Sequence, residues 1–130
     1  MRLLLDTHIF LWCIKNDKKL TQIVRREILN ASEVYVSSAS IWEIAIKTKL
    51  KKLDVNVALT VKAITESGFQ ELPICAYHAA ALANLKEIHR DPFDRMLIAQ
   101  AISEPLTFLT ADELLQEYSD LVKVVRLRQK

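Results

Sequence analysis

The chain has 130 residues, of which 51% are hydrophobic and 26% are charged, and its net charge is +2. This composition is typical of a globular domain and excludes a disordered chain. A net charge so close to zero does not by itself indicate a nucleic-acid partner. The sequence contains one glycine, which excludes the glycine-rich loops that bind nucleotide phosphates. We therefore expect a single domain over residues 1–130.

The apolar pattern predicts strands that alternate with helices. We expect strands at residues 2–6, 34–37, 71–74, 106–110 and 122–127, and helices at 7–15, 21–31, 40–51, 57–69, 77–85, 92–103 and 112–118. Such alternation gives an α/β fold in which a mostly parallel central sheet, here of about five strands, carries helices on both faces. The unbroken apolar runs at 3–5 and 34–36 fit strands that are buried on both sides.

The two cysteines, Cys13 and Cys75, form no metal-binding or CxxC pattern. Each lies in an apolar context, so we expect both to be small core residues in a reducing compartment. The first residues are typical of a strand and not of a signal peptide, and no apolar run reaches the roughly 18 residues of a membrane span. These features predict a cytoplasmic protein that does not enter a membrane.

Four carboxylates stand where predicted helices begin. Asp6 follows the first strand, Glu43 and Asp94 lie near the starts of two helices, and Asp112 follows the strand at 106–110. In an open α/β sheet, ligands bind outside the carboxyl ends of the strands. Four acids gathered there would repel one another unless a cation held them together. Because the pattern supplies oxygen ligands and needs no histidine, it favours Mg²⁺ or Mn²⁺.

Each acid also has a purely structural explanation. Ser40 and Glu43 fit a capping box, Asp91 fits the N-cap of the helix that proline 92 begins, and Asp6 and Asp112 can cap the helices that follow them. Capping accepts serine, threonine and asparagine as readily as aspartate. It therefore does not explain why carboxylates recur at four starts.

Four blocks of sequence carry these acids and occur in a fixed order. They are LLDTH at residues 4–8, SASIWEIAIK at 38–47, HRDPFDRMLIAQA at 89–101 and LTAD at 109–112. In this order and spacing, which cover nearly the whole chain, they resemble the PIN domain family and, more narrowly, the VapC-type toxins of bacterial toxin–antitoxin pairs. The resemblance implies a PIN-like α/β/α sandwich and assigns the family's acidic quartet to Asp6, Glu43, Asp94 and Asp112.

The same resemblance implies an activity and partners. It implies a Mg²⁺- or Mn²⁺-dependent endoribonuclease that acts on cellular RNA, forms a homodimer and is inhibited by a cognate antitoxin protein. The sequence departs from the family pattern at two places. A glycine usually precedes the fourth strand, whereas residues 103–106 are SEPL, so this turn must close differently. Asp91 is an extra acid beside Asp94; we interpret it as an N-cap, and a fifth metal ligand is the alternative.

Polar and basic residues near the acids are candidates for substrate binding. Thr7 and Ser40 could bind a ligand carboxylate or a phosphate, or could cap helices. Lys47 and Arg95 could meet phosphate, although Lys47 also fits an i,i+4 pair with Glu43 and Arg95 could be solvated. Three basic clusters could also contact RNA, or could be solvated surface: Lys47, Lys49, Lys51 and Lys52; Arg25 and Arg26; and Arg126, Arg128 and Lys130.

We interpret the tryptophans and histidines as structural residues. We expect Trp12 and Trp42 to pack in the core, with base stacking as the alternative. We expect His8, His78 and His89 to be structural.

Other functions compete with the endoribonuclease. A response-regulator receiver domain would have adjacent acids after its first strand, whereas Asp6 stands alone there. A catalytically silent PIN-like module that binds RNA or a partner would not need all four acids. A Mg²⁺ phosphatase or 5′-nuclease of similar fold is a further alternative.

Overall fold

We describe the protein from a computed structural model that covers residues 1–88 and 90–129. His89 and Lys130, which figure in the predictions above, lie outside the described residues. The strands are β1 (Arg2–Leu5), β2 (Glu33–Ser37), β3 (Gln70–Leu72), β4 (Thr107–Thr110) and β5 (Val122–Val124). The helices are α1 (Thr7–Ile14), α2 (Gln22–Asn30), α3 (Ser38–Lys49), α4 (Val57–Glu66), α5 (Ala76–Ala81) and α6 (Pro92–Ser103), with 3-10 segments at Leu82–Asn84 and Glu113–Tyr118.

The five strands form one sheet in the order β3-β2-β1-β4-β5, and every pairing is parallel. Strand β1 is central: Leu4 pairs with Tyr35 of β2 on one side and with Phe108 of β4 on the other. The chain builds one half of the sheet through β2 and β3, and then crosses to the other side of β1. This reversal makes the carboxyl end of β1 the switch point at which α/β proteins bind ligands.

Helices cover both faces of the sheet, as the sequence predicts. Leu3 and Leu5 of β1 pack in an apolar cluster with residues of α1, α2 and α4, whereas Leu4 packs in a second cluster with residues of α6. All three leucines are fully buried. Successive side chains of a strand point to opposite faces, so the unbroken LLL run fills both clusters at once.

Helix α3 begins earlier than the capping pattern predicts. Its N-cap is Ser37, whose hydroxyl accepts a hydrogen bond from the amide of Ala39 at 2.9 Å. The predicted capping box of Ser40 and Glu43 is therefore wrong. Strand β2 ends at Ser37, so this serine is the first hydroxyl in position to accept a free helical amide. As a result, Glu43 lies in the second turn of α3.

Several other elements end sooner than predicted. Strand β5 stops at Val124; the next amide, that of Val125, still bonds the carbonyl of Thr110, and Leu127 then forms an antiparallel bridge with Leu20. The predicted helix at 57–69 likewise ends at residue 66. Two other predicted helices differ in type. The one at 112–118 is a 3-10 helix, and the one at 77–85 divides into α5 and a 3-10 turn.

The turn before β4 closes without glycine. The amide of Glu104 bonds the carbonyl of Gln100 at 3.0 Å, and the amide of Leu106 reaches back to the carbonyl of Ala101 at 2.7 Å. Glu104 has a φ of −78°, so the turn needs no left-handed residue. Burial of the Leu106 side chain anchors the turn to the core.

Two of the predicted core residues are on the surface. Cys75 is exposed and precedes α5, and Trp42 is 59% exposed, with its ring edge-to-face against Phe93 at 5.1 Å between centroids. Trp42 falls on the solvent side of α3, whereas Ile44 points into the core. Cys13 does lie against the core, and burial raises the pKa of its thiol to about 11. Among the described residues, no helix is long and apolar enough to cross a membrane.

Candidate active site

A cleft of about 260 Å³ opens at the carboxyl end of β1, where the sheet order reverses. Elements from both halves of the sheet form its walls: α1 follows β1, α3 follows β2, α6 precedes β4, and a short loop follows β4. The residues that line the cleft are Asp6, His8, Trp12, Glu43, Lys47, Asp91, Asp94, Ala111 and Asp112. The structure thus brings all four acids of the predicted quartet, and Asp91, into one place.

Asp6 is the most firmly held of the acids. Its amide donates to the carbonyl of Leu109 at 2.9 Å, which continues the β1–β4 pairing to the edge of the cleft. Its Oδ1 accepts from the amide of His8 at 3.3 Å, so Asp6 is the N-cap of α1, and its Oδ2 accepts from the hydroxyl of Thr110. Burial raises the pKa of Asp6, and the hydrogen bond from Thr110 opposes that change.

Glu43 has one carboxylate oxygen that is paired and one that is not. Its Oε2 lies 2.6 Å from Nζ of Lys47, which confirms the predicted i,i+4 pair. Its Oε1 is buried and, among the described residues, has no hydrogen-bond donor. Partial burial acts to lower the pKa of Lys47, but the hydrogen bond to Glu43 and the other carboxylates of the cleft outweigh it and raise that pKa. A buried acceptor without a partner is costly, and a bound cation would remove that cost.

Asp94 lies near the other acids at the start of α6. It lies in the first turn of α6, and its amide and that of Phe93 both donate to Oδ1 of Asp91, at 3.1 and 2.8 Å. Asp91 is thus the N-cap, as we interpreted it from the sequence. Burial, followed by the charges of the neighbouring carboxylates, raises the pKa of Asp94 from 3.8 to about 8. Without a cation, this carboxyl group retains its proton at neutral pH.

Asp112 is the most exposed acid of the four. Its Oδ1 accepts from the amide of Leu114 at 3.0 Å, so it caps the 3-10 segment. Its own amide donates to Oγ1 of Thr110 at 3.1 Å, and the same hydroxyl donates to Asp6. Thr110 therefore ties together two acids that come from the ends of neighbouring strands. The sequence patterns did not single out this threonine.

The side chains of the cleft fit a hard divalent cation. The ligands on offer are carboxylate oxygens, one of them the donorless Oε1 of Glu43. In the described part of the chain, no group of three or more His, Cys, Asp and Glu side chains is arranged so that these side chains alone could hold a metal ion. Mg²⁺ keeps several waters in protein sites and takes only one or two carboxylates directly, so this spacing agrees with ligands that act partly through water.

Three of the predicted substrate-binding residues do not line the cleft. Thr7 and Ser40 are buried behind it, where the Thr7 hydroxyl donates to that of Ser40 at 2.8 Å and joins α1 to α3. The Arg95 guanidinium donates to the carbonyl of Lys86 at 2.8 Å and to the hydroxyl of Tyr118 at 3.3 Å. Only Lys47 of this group faces the acids.

Two aromatic residues of α1 line the cleft as well. The His8 side chain is exposed, and its ring lies 5.8 Å from that of Trp12, one turn further along the helix. Trp12 is half-buried and also packs against the core, as expected from the sequence. The i,i+4 spacing from His8 to Trp12 was the available signal that both rings share one face of α1.

The fold and the cleft together define an α/β protein with an acidic binding site at the switch point of a parallel sheet. The PIN domain sequence model matches residues 3–121, and the chain therefore belongs to the PIN domain family. Comparison with curated protein sequences gave no match.

Two solved structures resemble the protein over nearly its whole length. One is VapBC2 from Rickettsia felis bound to a DNA fragment from their promoter, with a TM-score of 0.70 and 16% identity over 98% of this chain and 100% of that chain. The other is DNA-bound VapBC from Salmonella typhimurium, with a TM-score of 0.67 and 20% identity over 96% of this chain and 97% of that one. At these identities the likeness concerns the fold.

Proposed function

We propose that this protein is a metal-dependent endoribonuclease and the toxin of a type II toxin–antitoxin pair. The main support for the proposal is that one cleft contains four carboxylates: Asp6, Glu43, Asp94 and Asp112. Two further observations indicate that their negative charge is not fully compensated. The pKa of Asp94 is raised, and Oε1 of Glu43 has no hydrogen-bond donor among the described residues. Membership of the PIN domain family and the fold shared with VapBC complexes support it.

The side chains of the cleft have distinct roles in this proposal. Asp6, Glu43 and Asp94 would hold Mg²⁺ or Mn²⁺, which supplies an activated water and neutralises charge on the phosphate under attack. Thr110 fixes the carboxylate of Asp6 through its hydroxyl hydrogen bond. Asp112, near the mouth of the cleft, shapes the site or holds a second ion.

Lys47 offers a cation on the wall of the cleft. It is held by Glu43 and is about one third exposed, so it can also meet a substrate phosphate. Lys49, Lys51 and Lys52 are exposed just beyond it, at the end of α3. Together they make a basic path that leads away from the acids, and such paths bind phosphate backbones with strong salt dependence. RNA is the proposed substrate because the chain belongs to the PIN domain family and its sequence resembles the VapC-type toxins.

The partners in the proposal are an antitoxin protein and a second copy of the chain. The two solved structures described above are VapBC complexes. Helix α4 leaves Leu59 61% exposed and Val61 43% exposed, and this apolar surface is a candidate contact for the homodimer. We expect the protein to act in the cytoplasm, where its RNA substrates are.

Cleavage of RNA by the purified protein tests the activity directly. We expect the wild-type protein to cut single-stranded RNA with Mg²⁺ or Mn²⁺ and to stop when EDTA is added. Asp6→Asn keeps the N-cap, because asparagine caps as well as aspartate, but removes a ligand charge. The variant should fold, as judged by circular dichroism, and lose cleavage. Cleavage at the wild-type rate by folded Asp6→Asn would refute the metal-site proposal.

Expression in bacteria tests the toxin role separately. We expect the wild-type protein to arrest growth and Asp6→Asn not to do so. Co-expression of the small protein encoded beside it should restore growth. Arrest that this neighbour does not relieve would indicate a nuclease outside a toxin–antitoxin pair. RNA binding without cleavage by wild-type protein would favour the silent-module alternative.

A further inference from the structure

The aromatic face of helix α1 offers a surface that the metal chemistry does not use. His8 and Trp12 line the same cleft as the acids, although neither supplies an oxygen ligand. The exposed imidazole of His8 lies 5.8 Å from the indole, and the two planes are tilted by 37°. The two rings thus form a continuous aromatic wall beside Asp6, which starts the same helix.

The ammonium group of Lys19 lies beside these two rings. Nζ of Lys19 lies 5.4 Å from the centre of the Trp12 ring, and its side chain is exposed, so it can also reach a phosphate. On the opposite side of the cleft, Lys47 is paired with Glu43. The cleft therefore combines carboxylates for a metal ion, two rings and Lys47, and Lys19 adds a cation over the Trp12 ring without lining the cleft itself. Single-stranded nucleic acids are bound in this way, by basic grooves in which bases stack on aromatic side chains.

We propose that His8 and Trp12 form a base-stacking subsite that holds the nucleotide next to the scissile phosphate. This inference rests on the proposed endoribonuclease function and deepens it, because it places one determinant of substrate choice on α1. The subsite favours an unpaired base, since a base inside a duplex has no free face to stack on a protein ring. Purines should bind better than pyrimidines because they present the larger ring surface.

The other tryptophan provides a matched control. Trp42 is more exposed than Trp12 but does not line the cleft, and its ring packs against Phe93. An exposed ring alone would make Trp42 the better candidate. Position in the cleft, and not exposure, is thus the property that singles out Trp12.

Steady-state cleavage of a short oligoadenylate tests the subsite. His8→Ala removes the exposed ring, and Trp12→Leu keeps apolar volume against the core while removing the aromatic face. Each should raise KM by about 5-fold or more with little change in kcat, because each variant removes a ring on which a base would stack. On a substrate with an abasic nucleotide next to the scissile phosphate, the variants and the wild type should have equal KM. An unchanged KM for oligoadenylate, or an equal rise on the abasic substrate, would overturn the proposal.

Fluorescence provides a readout that does not depend on cleavage. The chain has two tryptophans, so Trp42→Leu leaves Trp12 as its one indole emitter. We expect oligoadenylate, but not abasic ribose phosphate, to quench Trp12 emission in this variant, which should keep the wild-type KM. Quenching without any cleavage by wild type would overturn the endoribonuclease and keep the stacking subsite. Cleavage without quenching, or a KM rise in Trp42→Leu equal to that in Trp12→Leu, would overturn the subsite.

Discussion

Two clusters of ionisable groups in this protein differ in how far their charges are compensated. In the first, around buried His78 of α5, each group has a partner. The amide of Cys75 donates to Nδ1 of His78 at 2.9 Å, so Nε2 carries the proton and donates to Glu104. The hydroxyl of Tyr77 donates to the same carboxylate. These hydrogen bonds lower the pKa of Glu104, so it remains ionised in a neighbourhood that stabilises its charge.

In the second cluster, the acidic cleft, the charges are only partly compensated. Lys47 pairs with one oxygen of Glu43, the other oxygen has no donor among the described residues, and Asp94 has its pKa raised to about 8. A cluster that serves stability alone is expected to satisfy its own groups, as the His78 cluster does. The difference indicates that the cleft contains excess negative charge, which a bound cation would neutralise.

The largest expected effect comes from neutralising Asp94. Without metal, Asp94→Asn removes the cost of keeping this carboxyl group protonated at neutral pH, so the free energy of unfolding should stay the same or rise. Cleavage of RNA should fall by about 100-fold or more, because the metal loses a ligand charge on which transition-state stabilisation depends. Urea denaturation and a cleavage assay on the same protein measure both quantities. If Asp94→Asn lost stability and kept full activity, the cleft would serve stability and not metal binding, and this account of the two clusters would be wrong.

Breaking the His78 cluster should have the opposite outcome. Glu104→Ala leaves the Nε2 proton of buried His78 without its acceptor, which should lower the free energy of unfolding by about 1–3 kcal/mol. The specific activity of the folded variant should be near that of wild type, since Glu104 does not line the cleft. Denaturation midpoints and initial rates at low temperature give the result. A drop in rate without a drop in stability would place Glu104 in the catalytic machinery.

The pH dependence of stability distinguishes the clusters further. Asp94 has a folded-state pKa of about 8 against an ordinary value of 3.8, so the folded protein holds a proton that the unfolded chain releases. Stability of the metal-free protein should therefore fall as pH rises from about 4 to about 8, and then level off. We expect the melting temperature to fall by about 5 °C or more across that range. Mg²⁺ or the Asp94→Asn substitution should flatten the curve; a flat curve in wild-type, metal-free protein would contradict the assignment.

The smallest effect concerns the helix start that orients Glu43. Ser37→Ala removes the N-cap of α3 and the hydrogen bond that its hydroxyl donates to Oε1 of buried Gln100, and should lower the free energy of unfolding by about 1–2 kcal/mol. The matched variant is Ser40→Ala, which removes the residue that the capping-box pattern favours but which caps nothing; it costs only the hydrogen bond from Thr7. Thermal denaturation gives the melting temperatures of the two variants. A larger decrease for Ser40→Ala than for Ser37→Ala would support the predicted capping box of Ser40 and Glu43.

The alternation of strands and helices was predictable because apolar runs and caps are local signals. The convergence of the acids followed from topology, since parallel strands bring their carboxyl ends to one edge. The start of α3 was not predictable, because Ser37, Ser38 and Ser40 all offer hydroxyls and only the end of the paired strand decides among them.

Long-range contacts account for the remaining differences. Thr110 bonds Asp6 across 104 positions of sequence, and no local pattern indicates such a pair. Arg95 stands next to an acid in sequence, yet its helix turns the guanidinium toward Lys86 and Tyr118. The four acids that the family resemblance assigns lie in one cleft, but the resemblance could not specify which neighbouring polar side chains face it.

Calorimetric titration with Mn²⁺ at pH 7, in two buffers of different ionisation enthalpy, tests the central claim most directly. Wild-type protein should bind Mn²⁺ and release a proton as it does so, because Asp94 must lose its proton to become a ligand. Asp94→Asn should bind the ion more weakly and release fewer protons. Absence of Mn²⁺ binding by the wild type would contradict the claim that the cleft is a divalent-metal site, and identical isotherms with equal proton release for the two proteins would contradict the role of Asp94 as a ligand.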